Sequence, residues 1–442
     1  MRSVRVYLLL GALTVLAMGL ATGSKLLGQN SASVLPEAPA GFDNQSNGLV
    51  DPATFKSFRE TFEEVEGIGD GLGPTYNADS CRQCHASPVT GGISQVRELR
   101  AGHHDRVGNF VAANATIADG TVTIANRSLI NQRSICPGVD TVTVNGQTVS
   151  FNFPTTDGVE RISGAETVQT VRTSLNTLGD GFVEAIADQT LINIANHQCN
   201  TTRGMICGQA IQVPILELSG AVGVGRFGWK DQQASLLSFS SDAYLNEMGI
   251  SNRLAPNNKD VTTVCKVTTD PEDNHPDAQG LFDIDHFAGF MRASKVPPRA
   301  TALAATPDAI AGGVLFQRIG CATCHVSTIN TAPPGTAVAG GAFIVPPELG
   351  NKTIHPYSDF LLHDVGTGDG IVQNGPQDTA NKMRTPPLWG VRLRNELMHD
   401  GGSLTFTDAI ERHRGEANGV KNNFNQLSER EKSQLTTFLR SL

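Results

Sequence analysis

The pentapeptide Cys-x-x-Cys-His occurs twice in this 442-residue chain, as Cys81-Arg82-Gln83-Cys84-His85 and as Cys321-Ala322-Thr323-Cys324-His325. In this arrangement each cysteine can add across a vinyl group of haem, and the histidine can supply an axial nitrogen to iron. The spacing has a physical basis. One helical turn sets both sulfurs along one porphyrin edge and leaves the imidazole free to face the metal. Cys-x-x-Cys pairs also build zinc sites, and the two pairs together hold four thiolates. Zinc does not require a histidine directly after each second cysteine, however. A thioredoxin-like redox pair, the third option, occurs singly beside a βαβ unit. The pattern predicts two covalently bound haem c groups, attached through Cys81, Cys84, Cys321 and Cys324, with His85 and His325 as proximal ligands.

The N-terminus agrees with that reading. Arg2 and Arg5 precede an apolar run from Val6 to Leu20, followed by the small residues Ala21, Thr22, Gly23 and Ser24. Residues 1–24 therefore read as a secretory signal, or as an uncleaved N-terminal anchor. The run is shorter than the roughly 20 residues that span a bilayer comfortably. In either case the body is expected in the periplasm or another extracytoplasmic space, with membrane contact only through such an anchor. A net charge of −9 argues against nucleic acid and anionic membrane surfaces. Four cysteines lie outside the motifs: Cys136, Cys199, Cys207 and Cys265. An even number in an exported protein suggests two disulfides. Cys199 and Cys207 close a short loop and are the natural pair, leaving Cys136 with Cys265; free buried thiols are the alternative.

Along the chain, residues 25–50 are rich in Ser, Asn, Pro and Gly and read as a linker. From Pro52 to Glu66 the stripe Phe55, Phe58, Phe62, Val65 predicts a helix packed on a core, capped by Asp51. Between 110 and 160 the character changes. Thr121–Ile124, Thr141–Val144 and Thr148–Phe151, with Asn145-Gly146 between the last two, predict short strands and a hairpin. Helical patterns return at 181–196, 230–248 and 283–294. Pro297-Pro298 and the Ala-rich 300–306 mark a boundary. Thr306-Pro307-Asp308 opens another helix leading into Cys321, and Ser428-Glu429-Arg430-Glu431 has the capping-box pattern of a C-terminal helix. A motif-bearing helix plus a C-terminal helix is the framework of a cytochrome c domain. The expected fold is mainly α: a first haem domain over 51–300, with long loops and a small strand-rich insertion at about 110–160, and a second cytochrome c domain over 305–442. Arg172–Gly179 faintly repeats Arg384–Gly390, as duplicated haem domains would.

Several segments resemble a known group. They are Tyr76–Cys81, Gly225-Arg226-Phe227-Gly228-Trp229-Lys230, Asp359-Phe360-Leu361-Leu362-His363-Asp364, Arg384-Thr385-Pro386-Pro387-Leu388-Trp389-Gly390 and His399-Asp400-Gly401-Gly402. Together they resemble the bacterial di-haem oxidoreductases described as peroxidases, over roughly residues 50–442 with a break at 110–160. The C-terminal half is also similar to the di-haem cytochrome c peroxidases and their methylamine-utilisation relative. That resemblance implies one haem that meets peroxide and another that takes electrons from a small donor protein.

Function then turns on the sixth ligands. Asp408–His413 resembles the peroxidase segment ending in the distal methionine, which makes His413 a candidate ligand of the second haem; Met398 and Met383 compete with it. For the first haem, Gly91-Gly92 and Gly102-His103-His104 resemble a peroxidase segment carrying a displaceable ligand, so His103 or His104 is a candidate, against a reading as loop histidines. His197 is a further candidate without a motif. Glu166 and Glu184 lie where the peroxidases place a distal glutamate, the acid–base group that moves a proton between peroxide oxygens. Arg172 and Arg384 are candidates for neutralising haem propionates. Trp229 and Trp389 are candidates for an electron relay or for plain packing against porphyrin. His363, Asp364 and Asp369 invite a calcium reading, although their spacing matches no recognised loop. The chain is thus expected to be an electron-transfer cytochrome that reduces hydrogen peroxide or a similar small oxidant. The alternatives are a pure electron carrier with two six-coordinate haems, and a redox partner or maturation protein.

Overall fold

Asp51 starts the first helix by accepting hydrogen bonds from the backbone N–H groups of Ala53 and Thr54, with Pro52 at the first helical position. The resulting helix α1 (Pro52–Glu63) buries Phe55, Phe58 and Phe62 on one face. It stops before Val65, which is exposed, because the chain turns extended at Glu64. The other helices are α2 (Cys81–Cys84), α3 (Asp180–Glu184), α4 (Asp188–Thr201), α5 (Leu236–Met248), α6 (Asp283–Ala293), α7 (Thr301–Ala304), α8 (Pro307–Arg318), α9 (Phe406–Arg412), α10 (Asn418–Asn425) and α11 (Glu429–Leu439). The computed structural model describes residues 34–116, 123–124, 127–135, 138–144, 147–153, 159–256 and 276–442. The N-terminal apolar run, the start of the linker, Asn145-Gly146, Cys136 and Cys265 lie outside the described residues. Within Pro36–Leu442, which form one compact unit, residues 36–50 run along the body, with Ala38, Gly41 and Asn47 donating backbone hydrogen bonds to Thr353, Val296 and Ala293.

The chain is helix-rich, 33% helical against 17% strand, with several small sheets. The strand-rich part is wider than its sequence suggested. Arg97–His104 pairs antiparallel with Val168–Thr173, from Val168 opposite Gly102 to Thr173 opposite Arg97, and both strands fall outside 110–160. Neither Arg97–His104 nor Val168–Thr173 alternates apolar and polar residues, so hydropathy does not mark them. Phe110–Ala112 and Leu129–Ile130 complete the sheet. Gly138–Val144 and Gln147–Phe153 form the expected hairpin, with Val142 opposite Val149. The helical pattern at 181–196 resolves into α3 and α4, and that at 230–248 begins only at Leu236, where Ser235 caps α5.

Two cores organise the packing. In the larger one α1 meets α6 through aromatic rings, Phe55 stacked and Phe62 tilted against Phe290 with centroids 5.6 and 4.6 Å away. That core also takes in Ile329, Leu349, Phe360 and Trp389, so it draws on residues either side of the boundary expected at 300–305. The smaller core joins α8 to α11 through Leu315, Phe316, Leu435 and Phe438. Thr306 caps α8, and Ser428 with Glu431 forms the capping box of α11. Among the described cysteines, Cys199 and Cys207 form the expected disulfide.

The α8–α11 contact relies on a missing side chain. A Cβ added at Gly312 would sit 2.0 Å from the Gln434 carbonyl oxygen and 2.7 Å from Phe438 Cβ, whereas one at Gly419 would meet nothing within 4 Å. Gly312→Val should therefore destabilise the protein by about 1–3 kcal/mol or more, and Gly419→Ala should not. Calorimetric Tm values of the two variants check this.

Candidate haem sites

Each motif forms a single tight turn. Cys81–Cys84 is one turn of α-helix, and Cys321–Thr323 is one turn of 3₁₀-helix entered through Gly320 at φ +103°. Burial holds the thiols protonated: Cys84 and Cys321 are each pushed up to about 12, and Cys81 lies well above its ordinary value. The two motif histidines are half-buried, and desolvation pulls both below their ordinary value, His325 to about 4. Both are therefore neutral rings at pH 7. His85 donates from Nδ1 to the Gly92 carbonyl (3.3 Å), and His325 donates from Nδ1 to the Tyr357 carbonyl (2.9 Å). Since a carbonyl only accepts, the proton is on Nδ1, and Nε2 keeps the lone pair that a metal needs.

The cavity beside His85 measures about 510 Å³ and has a charged wall. It is lined by Glu98, Arg100, Arg172, Asp180, Glu247 and Arg384, together with Trp229 and Gln373. Glu98 receives Arg100 through Nε (2.7 Å) and Nη2 (3.0 Å). Burial raises both carboxyls, but the Arg100 guanidinium more than offsets this at Glu98, which stays ionised. Glu247 lies against Glu98 and is pushed well above its ordinary value by burial and by that carboxylate, so it keeps its proton and hydrogen-bonds to Glu98. A carboxylic acid and a carboxylate thus share one proton at the cavity wall. A contiguous apolar pocket is lined by Phe62, Cys81, Tyr244 and Phe287.

The residues expected to serve this site are elsewhere. Glu184 is fully buried, paired with Arg292 through two contacts (2.6 and 2.9 Å), and accepts from the N–H of Leu236 (2.7 Å); it is a strut between α3, α5 and α6. Glu166 accepts from His103 Nδ1 (2.9 Å) and from the N–H of Asn114 (3.2 Å). Neither glutamate lines the His85 cavity, and neither His103 nor His104 does. The reason is the strand: Arg97–His104 presents Glu98 and Arg100 to the cavity and carries the two histidines past it. His197 is exposed on α4. Nothing in the local sequence marks Glu247, at the end of α5, as anything but a solvated helix residue. Only burial distinguishes it.

The cavity beside His325 has a different character. His413, His399, Met383 and Met398 line it with Cys321 and His325. His413 repeats the device of the motif histidines: its Nδ1 donates to the Ala409 carbonyl (2.7 Å), and burial keeps the ring neutral. Met398 stands at φ +69°, a left-handed conformation that strains a non-glycine residue. His363 is not free to ligate. Its Nε2 contacts Asp359 (2.9 Å) and its Nδ1 contacts Glu416 (2.8 Å), 3.8 Å from Cys324 Sγ. Asp369 is engaged by Arg172 (2.7 Å) and Lys230 (3.8 Å), and Asp364 by the N–H of Gly366 (2.9 Å), so these groups form no oxygen cage for calcium.

Trp229 and Arg384 line both cavities and so stand in the wall between them. Trp389 lies in the larger core and lines neither. Arg384 is buried, and its Nε has no hydrogen-bond partner among the described residues. A buried guanidinium N–H facing two cavities fits an anionic group brought by a ligand, such as a haem carboxylate.

Two buried cavities, each entered by a neutral histidine from a Cys-x-x-Cys-His turn, define a protein built to hold two haems. The family model described as "Di-haem oxidoreductase, putative peroxidase" matches residues 156–442, and the chain belongs to this family. Membership brings haem cofactors and redox chemistry with it. The match begins beyond the first motif, near the end of the 110–160 stretch. No curated protein matches the sequence. Among solved structures, a MauG-like protein associated with microbial copper homeostasis is 13% identical at a TM-score of 0.40, over 94% of this chain and 95% of that one. The diheme peroxidase BthA from Burkholderia thailandensis is 16% identical at a TM-score of 0.31, over 50% of this chain and 66% of its own. Hydrazine synthase of Kuenenia stuttgartiensis is 20% identical at a TM-score of 0.23, and the chain spans only 55% of that protein's length.

One group near the first motif titrates in a useful range. Glu66 is 5% exposed beside Asp283, and the Tyr244 hydroxyl lies 3.2 Å from a carboxylate oxygen of each. Burial, then Asp283, raises Glu66 from 4.5 to about 8. The folded state therefore holds a proton that the unfolded state has lost between those values. The associated stability is full below pH 4.5 and is lost as pH rises through about 8. Denaturant titrations of Glu66→Gln across this window should show a flatter pH dependence than the parent.

Proposed function

We propose that this protein is an exported c-type di-haem enzyme that reduces hydrogen peroxide, or a similar small oxidant, with electrons from a small donor protein. The observation that carries the reading is the difference between the two cavities. Among its described lining residues, the 510 Å³ cavity offers no histidine or methionine besides His85, with Met248 and Met291 confined to the contiguous apolar pocket, and it does offer the Glu98–Glu247 pair. The other places His413 and Met398 in one cavity with His325. One cavity is suited to a substrate, the other to electron transfer. The covalent bonds would be made by Cys81 and Cys84, and by Cys321 and Cys324, and His413 is the sixth ligand we assign to the second site.

Bound haem supplies electrons and a Lewis-acidic iron. The chain supplies proton control. Reducing hydrogen peroxide to two waters takes two electrons and two protons. Glu98, ionised, would take the proton of one peroxide oxygen, and Glu247, protonated, would give its proton to the other, which leaves as the first water. The remaining oxygen would become the second water with the two electrons, the proton held by Glu98 and one proton from solvent, and solvent would reprotonate Glu247; Arg100 holds Glu98 in place and favours its ionised form. Trp229, donating from Nε1 to the Thr173 carbonyl (2.7 Å), stands on the path between the two sites.

EPR of the purified holoprotein tests the assignment. A high-spin signal from one haem, altered by peroxide, is expected beside one low-spin haem. Two unchanging low-spin haems would make the protein a pure electron carrier. Acid–acetone extraction should leave both haems on the polypeptide, and their loss to the solvent would refute covalent attachment. Glu247→Gln is expected to slow peroxide reduction about 10²–10⁴-fold with both haem spectra intact.

A further inference from the structure

We propose that Arg384 is an electrostatic bridge between the two haem sites, a single guanidinium whose charge sets both reduction potentials. The inference rests on the placement of one haem in each cavity. Arg384 and Trp229 form the shared wall, and they are locked to each other, because the Arg384 N–H donates to the Trp229 carbonyl (2.9 Å). The guanidinium is only partly answered by the protein. Nη1 donates to the Arg226 carbonyl (2.5 Å), Nε is 3.9 Å from an Asp231 carboxylate oxygen, and Phe360 lies under it with its ring centroid 5.9 Å away. Nε has no hydrogen-bond partner among the described residues, and the residue is 4% exposed.

A cation excluded from water acts strongly on charges nearby, since little solvent screens it. Adding an electron to either haem adds negative charge, so a fixed positive charge in the shared wall favours the reduced form of both. Other buried arginines do not have this reach. Arg172 lines only the first cavity and is matched by Asp369. Arg394 lines only the second, donating to Thr173 Oγ1 (3.1 Å) and the Ser174 carbonyl (3.3 Å). Arg384 therefore differs from them in kind: it ties the two potentials together, so both must respond when it is removed.

Spectroelectrochemical titration of the holoprotein tests this, with haem content fixed first by pyridine haemochrome assay. Arg384→Gln is expected to move both midpoint potentials downward together. Arg172→Gln should move chiefly the potential of the first haem, and Arg394→Gln chiefly that of the second. Should Arg384→Gln fail to load both haems, Arg384→Met replaces it. That variant keeps the length of the side chain without its charge, and it too should move both midpoints downward together. A shift confined to one haem, or none, in either Arg384 variant overturns the bridge. A parent protein with fewer than two haems would instead overturn the reading on which the bridge rests.

Discussion

Buried charge is the constraint on which this molecule depends. Arg172, Arg226, Lys230 and Arg384 are almost inaccessible to solvent, and desolvating each would cost several kcal/mol if it stood alone. None does. Arg172 reaches Asp369 across the chain, Arg226 gathers the carbonyls of Val183, Glu184 and Ile186 and the carboxylate of Asp188, and Lys230 donates to the carbonyls of Thr379, Ala380 and Lys382. These contacts tie segments far apart in sequence, including the parts that carry the two motifs. Removing one partner would strand the other in a low-dielectric interior.

A second device recurs at smaller scale. His85, His325 and His413 each give Nδ1 to a backbone carbonyl, which fixes the tautomer and aims Nε2. His103 and His363 instead contact carboxylates. At His363 the Asp359 carboxylate favours the charged ring, and a charged ring has no lone pair to give. The same side chain thus serves opposite ends according to what faces one nitrogen.

Sequence patterns reported what local chemistry controls. The capped helices at Asp51, Thr306 and Ser428 were legible, as were the hairpin and the Cys199–Cys207 pair, because each depends on residues a few positions apart. The strand Arg97–His104 was not, since its buried residues, Arg100, Ala101 and Gly102, make no apolar alternation, and Arg100 is satisfied by Glu98 of the same strand. Family-like segments pointed to Trp229 and Arg384, but not to their meeting in one wall. Glu247 carried no signal, because its environment is made by Glu98 and Asn77 on other elements. Glu166 and Glu184 were placed by analogy of position, and position along the chain says little about which way a side chain faces once ion pairs claim it.

The disulfide has a bearing on how the protein is assembled. On the proposed covalent attachment, the described cysteines fall into two populations with opposite requirements: four must stay as thiols until haem arrives, and Cys199 and Cys207 must not. Only eight residues separate the latter two, and ends that close together meet far more often than distant ones. Early closure of that loop takes two reactive sulfurs out of circulation before they can mispair with the attachment cysteines. It also fixes the Cys207 N–H on Glu416, which holds His363 beside Cys324. A small ring formed first would then act as a sorting step, leaving the slower chemistry a cleaner set of sulfurs to choose from.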